Sequence, residues 1–218
     1  PSDLATALVA TKAEVDYAEV GVAGIRRTRF ESLVQHSLAM PDYPRKLVLL
    51  NYYLPEGRDN ETVIAQKVAL REVNAHTIVN STSRVAVSET LQVEAVGLVF
   101  GGIAPYPWRA VATEKAMRGQ TLSLAAVQGW TRILKAEVGA ALKVWAPRSQ
   151  GLPTEGFTDA YRLQLTISFY YKAMINLLAS RGMVPLNLRS AGAITWGRWA
   201  VRSEEHTSEL QSQFRISY

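Results

Sequence analysis

From Leu47 onward the hydrophobic pattern of this chain changes period once, near residue 101, and that change limits the folds open to it. Up to Phe100 the apolar residues fall in short segments that alternate with polar ones, or in brief aliphatic and β-branched runs. That is the spacing of strands. Beyond Gly101-Gly102-Ile103-Ala104-Pro105 they recur every three to four residues, the spacing of helices. Strands followed by helices, rather than strands alternating with helices, predict an α+β fold built on an antiparallel sheet.

Within the strand half, Glu14–Val20 alternates polar and apolar residues, and Gly21 and Gly24 punctuate a turn. Arg26–Phe30 then reads as the return strand of a hairpin. Asp3–Val15 is Ala-rich and predicts a short helix or a helix–strand piece. Glu31–Met40 reads as a short helix stopped by Pro41 and Pro44. Leu47–Leu54, closed by Pro55, is aliphatic and aromatic and reads as a buried strand. Thr62–Ala69, Thr77–Val87 and Gln92–Phe100 predict three more strands. In the helical half, Thr113–Arg118 is short and ends at Gly119, a natural residue just beyond a helix. Leu124–Leu142 lines up Val127, Trp130, Leu134, Val138 and Ala141 on one stripe. Asp159–Ser180 places Phe169, Ala173 and Leu177 beside Tyr170 and Met174, and Pro147–Gly156 is the loop between the two long helices. The expectation is an antiparallel sheet over Thr62–Phe100 with both long helices on one face. A boundary in the polar turn Glu56–Asn60 separates residues 1–57 from residues 58–182.

Composition narrows the function classes. Of 218 residues, 48% are hydrophobic and 20% charged, with a net charge of +5, which is globular rather than disordered. There are no cysteines, so these residues hold no disulfide framework, zinc knuckle, iron–sulfur cluster or thiol nucleophile. No apolar run approaches the roughly 18 residues of a membrane span. The opening Pro1-Ser2-Asp3-Leu4 carries neither an initiator Met nor a leader pattern, which suggests a start inside a longer protein. Arg202–Ser212 and Ile216–Tyr218 read as a translated sequencing adapter around a variable Gln213-Phe214-Arg215. Residues 202–218 are therefore expected to be a tail without core or function, and residues 183–201 a divergent linker.

Motifs of self-contained chemistry are missing from the sequence: no G-x-S-x-G elbow, no phosphate-binding Walker loop and no H-E-x-x-H. His36 and His76 each lack a second ligand at metal spacing. Gly97, Gly101 and Gly102 end a strand and precede a proline, so they read as a close-packing bend rather than a phosphate loop. Arg26-Arg27-Thr28-Arg29 reads as a solvated strand face, without the interleaved aromatics that stack on bases. Residues alone thus lead to an α+β fragment with no self-sufficient active site.

Several segments together resemble the flavin-binding portion of the molybdenum hydroxylases of the xanthine dehydrogenase and aldehyde oxidase family. Val93–Pro105 followed by Arg109-Ala110 and Thr113-Glu114 is similar to the family's apolar strand ending in Gly-Gly-Met-Ala and its Ala-rich sequel. Lys67, Ala69, Arg71, Ile78-Val79-Asn80 and Arg84-Val85 fall without gaps on Phe-Lys-Gln-Ala…Arg-Arg…Ile-Ala-x-Val-Asn-x-x-x-Arg-Val. Ser2-Asp3-Leu4 resembles Ile-Ser-Asp-Leu. Arg45-Lys46 and Leu49-Leu50…Leu54-Pro55 resemble Tyr-Arg-Lys and Leu-Leu-Ser-Ile-x-Ile-Pro. Arg162–Lys172 is close to Arg-Arg-Thr-Leu-Thr-Leu-Ser-Phe-Phe-Phe-Lys. The segments keep the family's order from Ser2 to about Gly182.

The resemblance implies part of an FAD-binding domain followed by a C-terminal subdomain with a three-stranded antiparallel sheet and helices. It implies an enzyme whose molybdopterin centre hydroxylates a purine or aldehyde. Electrons would pass through 2Fe-2S clusters to FAD and on to NAD or oxygen, in a cytoplasmic or peroxisomal homodimer. Asp3 matches an aspartate that contacts FAD, Leu49 a leucine packed near the isoalloxazine ring, and Lys67 a lysine beside it. The family's acidic cluster is replaced here by Glu72, Val73, Asn74 and Ala75, and the Phe before its lysine by Gln66. The family's glycine-rich pyrophosphate loops lie upstream of Pro1, so the chain alone is expected to hold FAD poorly. Two alternatives stand beside this one: the FAD subunit of a carbon monoxide dehydrogenase type enzyme, and a non-enzymatic α+β interaction module.

Overall fold

The computed structural model describes residues 2–39, 46–69, 76–145 and 157–188. The elements in order are α1 (Asp3–Ala10), β1 (Glu14–Glu19), β2 (Ile25–Arg29), α2 (Phe30–Ala39), β3 (Leu47–Tyr53), β4 (Glu61–Ala69), β5 (Thr77–Val87) and β6 (Val93–Gly101). Then come β7 (Trp108–Arg109), α3 (Val111–Met117), α4 (Leu124–Trp145), α5 (Asp159–Ala179) and a 3₁₀ turn at Leu186–Leu188. They form two antiparallel sheets, ordered β2-β1-β3 and β4-β5-β6-β7. The fold is α+β.

The long helices form where the apolar stripes lie. Val127, Trp130, Leu134, Val138, Ala141 and Leu142 are the buried face of α4. Phe169, Tyr170, Ala173, Met174, Leu177 and Leu178 are that of α5. Apart from Phe169, which packs with Ile78 and Val79 of β5 in a separate small cluster, both stripes pack with Val85, Val96, Leu98 and Phe100 of the larger sheet in one core. Burying a large apolar side chain contributes about 1.5–3 kcal/mol, so this seam strongly stabilises the larger sheet and the two long helices. Thr158 caps α5, its hydroxyl accepting from the Tyr161 N–H at 3.2 Å.

Every residue of β5 is buried, which requires cover on both faces of the sheet. The second cover is α1. Leu8, Val9 and Ala10 share a core with Val99 of β6 and with Val15, Tyr17, Phe30 and Leu33 of the smaller sheet and α2. Gly97 makes this approach possible: a Cβ there would stand 3.1 Å from the Ala10 carbonyl oxygen. The helix at the start of the chain is therefore wedged against the sheet formed by its second half.

Leu47–Leu54 departs from expectation. The strand forms, but it is not buried: Val48, Leu49, Leu50, Tyr52 and Tyr53 are all at least 39% exposed. β3 is an edge of the smaller sheet, where Leu47 packs on the core beneath and Tyr52 lies edge-on to Phe30 of α2 at 6.0 Å. Aliphatic and aromatic content marks a pleated surface, not its burial. The larger sheet also has a fourth, two-residue strand beyond the three expected, β7, which pairs with β6 and sets Trp108 against Phe100. Val184, within the stretch expected to be linker, is buried in the main core. Residues 72–75, the loop 147–156 and the tail 202–218 lie outside the described residues. No described helix is long and apolar enough to cross a membrane.

Candidate functional site

Ser2 starts α1: its hydroxyl accepts from the Ala5 N–H at 3.2 Å. Asp3 thus falls in the first turn, where the helix dipole favours a carboxylate. Because α1 lies across the larger sheet, this turn ends above a row of three residues fixed by strand register. Lys67 of β4 stands opposite Asn80 of β5, and Asn80 opposite Gly101 of β6.

The carboxylate of Asp3 meets that row. Its Oδ2 lies 2.7 Å from Lys67 Nζ. Its Oδ1 accepts from the Thr77 hydroxyl at 2.7 Å and from the Asn80 amide. The amide oxygen of Asn80 accepts in turn from the Thr6 hydroxyl at 3.0 Å. Thr6, Thr77 and Asn80 are buried, whereas the Lys67 and Asp3 side chains keep 39% and 46% of their surface. Partial burial alone would raise the Asp3 pKa. The bonds from Lys67, Asn80 and Thr77 outweigh it and hold the carboxyl below its ordinary value. The result is an ionised carboxylate and an ammonium side by side on a buried polar floor.

Of the three residues that the resemblance singles out, two come together here, Asp3 and Lys67. Leu49 stands in the other sheet, opposite Tyr17 of β1 and 41% exposed. Asn80, Thr77 and Thr6 complete the cluster and carry no role in the sequence reading. An asparagine inside a run of β-branched strand residues is uncommon, but the sequence alone does not say what Asn80 would face. Gln66, where the family has Phe, is buried and donates from Nε2 to the Phe169 carbonyl at 3.1 Å, tying β4 to α5.

The same end of the sheet is clamped from the α5 side. Arg162 Nη1 donates to the carbonyls of Ile78 at 2.7 Å and Gly102 at 3.1 Å. A recess of about 260 Å³ lies between α2 and β7 and is lined by Glu31, Gln35, Tyr106, Trp108 and Arg109 among others. Its charges are satisfied internally: Arg109 donates to Glu114 at 2.7 Å and to Glu31 at 3.2 Å. Among the described residues no group of three or more His, Cys, Asp or Glu is placed to hold a metal ion.

A carboxylate accepts several hydrogen bonds and an ammonium offers three. Asp3 and Lys67 use part of that capacity on each other and on the floor. Their exposed edge therefore presents an acceptor and donors next to one another. This suits a ligand edge that carries an N–H beside a carbonyl.

Residues 64–177 match the family described as CO dehydrogenase flavoprotein C-terminal domain. Xanthine dehydrogenase of Calliphora vicina is 29% identical over 142 residues, covering 63% of this chain and 10% of that protein. Xanthine dehydrogenase 2 of Arabidopsis thaliana is 31% identical over 128 residues, covering 57% and 9%. The chain thus spans about a tenth of the length of these relatives. Among solved structures, quinoline 2-oxidoreductase from Pseudomonas putida 86 has a TM-score of 0.59 at 13% identity, covering 84% of this chain and 57% of that one. Carbon monoxide dehydrogenase from Hydrogenophaga pseudoflava has a TM-score of 0.58 at 14% identity, covering 81% and 55%. At such identities the likeness is one of fold.

Proposed function

Because the chain belongs to the family of CO dehydrogenase flavoprotein C-terminal domains, we propose that it is part of the flavin segment of a molybdenum hydroxylase of the xanthine dehydrogenase and aldehyde oxidase type. The xanthine dehydrogenase relatives support that type. Residues 1–57 would close a flavin-binding domain and residues 58–182 would form its C-terminal subdomain. The observation that carries the reading is the meeting of Asp3 and Lys67 at 2.7 Å from opposite ends of a long stretch of sequence.

The donor set fits FAD. The pyrimidine edge of an isoalloxazine ring carries an N–H between two carbonyls. Asp3, held ionised, would accept from the N–H, and Lys67 would donate to an adjacent carbonyl. Thr77 and Asn80 restrain the carboxylate, and Leu49, exposed on β3, would pack near the ring from the smaller sheet. FAD, when bound, supplies the ability to take up electrons and release them singly or in pairs. These residues bind and orient the ring, and the charge beside it biases its redox behaviour. Hydroxylation would belong to molybdopterin and 2Fe-2S domains of the same enzyme, with NAD or oxygen as final acceptor. A homodimer in the cytoplasm or peroxisome completes the proposal.

The ring contacts of Asp3, Lys67 and Leu49 are the flavin contacts proposed for this chain. Mixed with FAD and desalted, the chain should come through colourless. Titrated into dilute FMN, it should still change the flavin fluorescence weakly and saturably. Asp3→Asn combined with Lys67→Met should weaken that response about tenfold or more, the scale of one lost charge-assisted bond. A response identical in the double variant would overturn the assignment of this pair.

A further inference from the structure

Asp3 and Lys67 are long-range partners whose side chains are both more than one third exposed. Exposed ion pairs of this kind are usually weak and poorly ordered. This one differs in what lies beneath it. Asn80 is 2% exposed and sits in the middle of the cross-strand row, with Lys67 on one side and Gly101 on the other. Both ends of its amide are engaged: Nδ2 gives to Asp3 Oδ1, and Oδ1 takes the Thr6 hydroxyl at 3.0 Å. Turning the amide over would set its carbonyl against the carboxylate, so ionised Asp3 and Asn80 fix each other's orientation. Gly101 leaves the third place in the row free of a side chain.

We infer that Asn80 is the positioning residue of the site: its buried amide holds the Asp3 carboxylate with Oδ1 turned into the protein, so that Oδ2 and the Lys67 ammonium face outward in one arrangement. The relevance to flavin rests on the function proposed above, but the positioning itself does not. Lys67 from β4 is the charged group facing Asp3 across the cluster, and Thr77 is the second neutral donor to the same oxygen. Without Asn80 the carboxylate keeps Lys67 and Thr77 but loses the bond that sets its rotation.

The test is a carboxyl ¹³C titration of Asp3 in the full chain without flavin, for the native protein, Asn80→Ala and Asn80→Asp. In Asn80→Ala the Asp3 titration should move upward towards the ordinary carboxylate value. Asn80→Asp is nearly isosteric and keeps an oxygen for Thr6, but opposes one carboxylate to another. The two should titrate in coupled steps, one of them above the ordinary carboxylate range. A purely structural Asn80 would lower the melting temperature of Asn80→Ala and leave Asp3 titrating as in the native chain, which would overturn the inference. So would two ordinary titrations in Asn80→Asp, the variant that decides the matter if Asn80→Ala does not fold. In the FMN titration, Asn80→Ala should bind about tenfold more weakly than the native chain. If the native chain gave no FMN response while Asp3 shifted as expected, the flavin reading would fall and the role of Asn80 would stand.

Discussion

Gly102 sits at φ +90°, and a Cβ built on it would lie 2.2 Å from the carbonyl oxygen of Ile78. Both facts penalise any side chain, and the obstacle is backbone that cannot swing away. Gly102→Ala should destabilise the chain by about 1–3 kcal/mol from backbone strain alone, read as a lower urea midpoint. It should also loosen the Arg162 clamp, whose guanidinium lies 3.1 Å from the same Cβ position. An unchanged midpoint would show that the bend relaxes. Ser83 predicts the opposite sign. It is 1% exposed, and its hydroxyl, like that of Ser81, has no hydrogen-bond partner among the described residues. A buried unsatisfied polar group costs about 1–3 kcal/mol, so Ser83→Ala should raise the melting temperature, and a fall would mean that the hydroxyl finds a partner. The bend at Gly102 was legible in sequence because glycine pairs before a proline have few other uses. The two orphan hydroxyls were not, since serine in a strand reads as an exposed residue until the helix above it is known.

Among the elements, the smaller sheet is the one whose stability follows acidity most directly. Asp16 on its central strand accepts from Arg27 Nε at 2.7 Å and from Arg27 Nη2 at 3.0 Å, and from the Tyr53 hydroxyl at 2.8 Å. Arg27 also stacks 3.7 Å over the Tyr53 ring, so one carboxylate joins all three strands. Arg27 and then Tyr53 pull the Asp16 pKa from 3.8 down to about 2. A carboxyl lowered in the folded state stabilises above its unfolded value and loses that contribution as pH falls through its folded value. The urea midpoint should therefore drop between about pH 4 and pH 2, and Asp16→Asn should remove most of that slope. An equal slope in the variant would place the acid sensitivity elsewhere. The hairpin of β1 and β2 was readable from its alternation and its two glycines. The exposure of β3 was not, because whether a strand lies at an edge depends on what else joins its sheet.

At the scale of the molecule, two contacts far apart in sequence join the smaller sheet to the rest. The first is α1, whose Leu8, Val9 and Ala10 are buried against both the larger sheet and the smaller sheet with α2. The second is Arg109, which binds Glu114 of α3, itself 1% exposed and also accepting from the Leu98 N–H at 2.9 Å, and reaches Glu31 of α2. Arg109→Met would strand a buried carboxylate, costing about 3 kcal/mol or more. Arg118, at 3.4 Å from Glu114, offers only partial replacement. Melting followed by fluorescence should then lose several degrees, and an unchanged melting temperature would show that other donors satisfy Glu114. The antiparallel sheet and the buried stripes of α4 and α5 were legible in the sequence because burial imposes its period on every residue of an element. The place of α1 was not, since nothing local tells a helix which sheet it will cover. For the same reason Asp3 and Lys67 were reachable by resemblance, whereas Asn80, Thr77 and Thr6 became visible only once α1 lay across β5.

The central claim is that this cluster meets a flavin ring, and mapping FMN onto the chain by NMR tests it most directly. The account predicts saturable shifts centred on the Asp3 carboxyl, the Lys67 ammonium and the Thr77 and Asn80 amides, with the outer face of α4 unmoved. Shifts centred on the recess of Gln35 and Trp108, or none at Asp3 and Lys67 at FMN concentrations that saturate the fluorescence change, would contradict it.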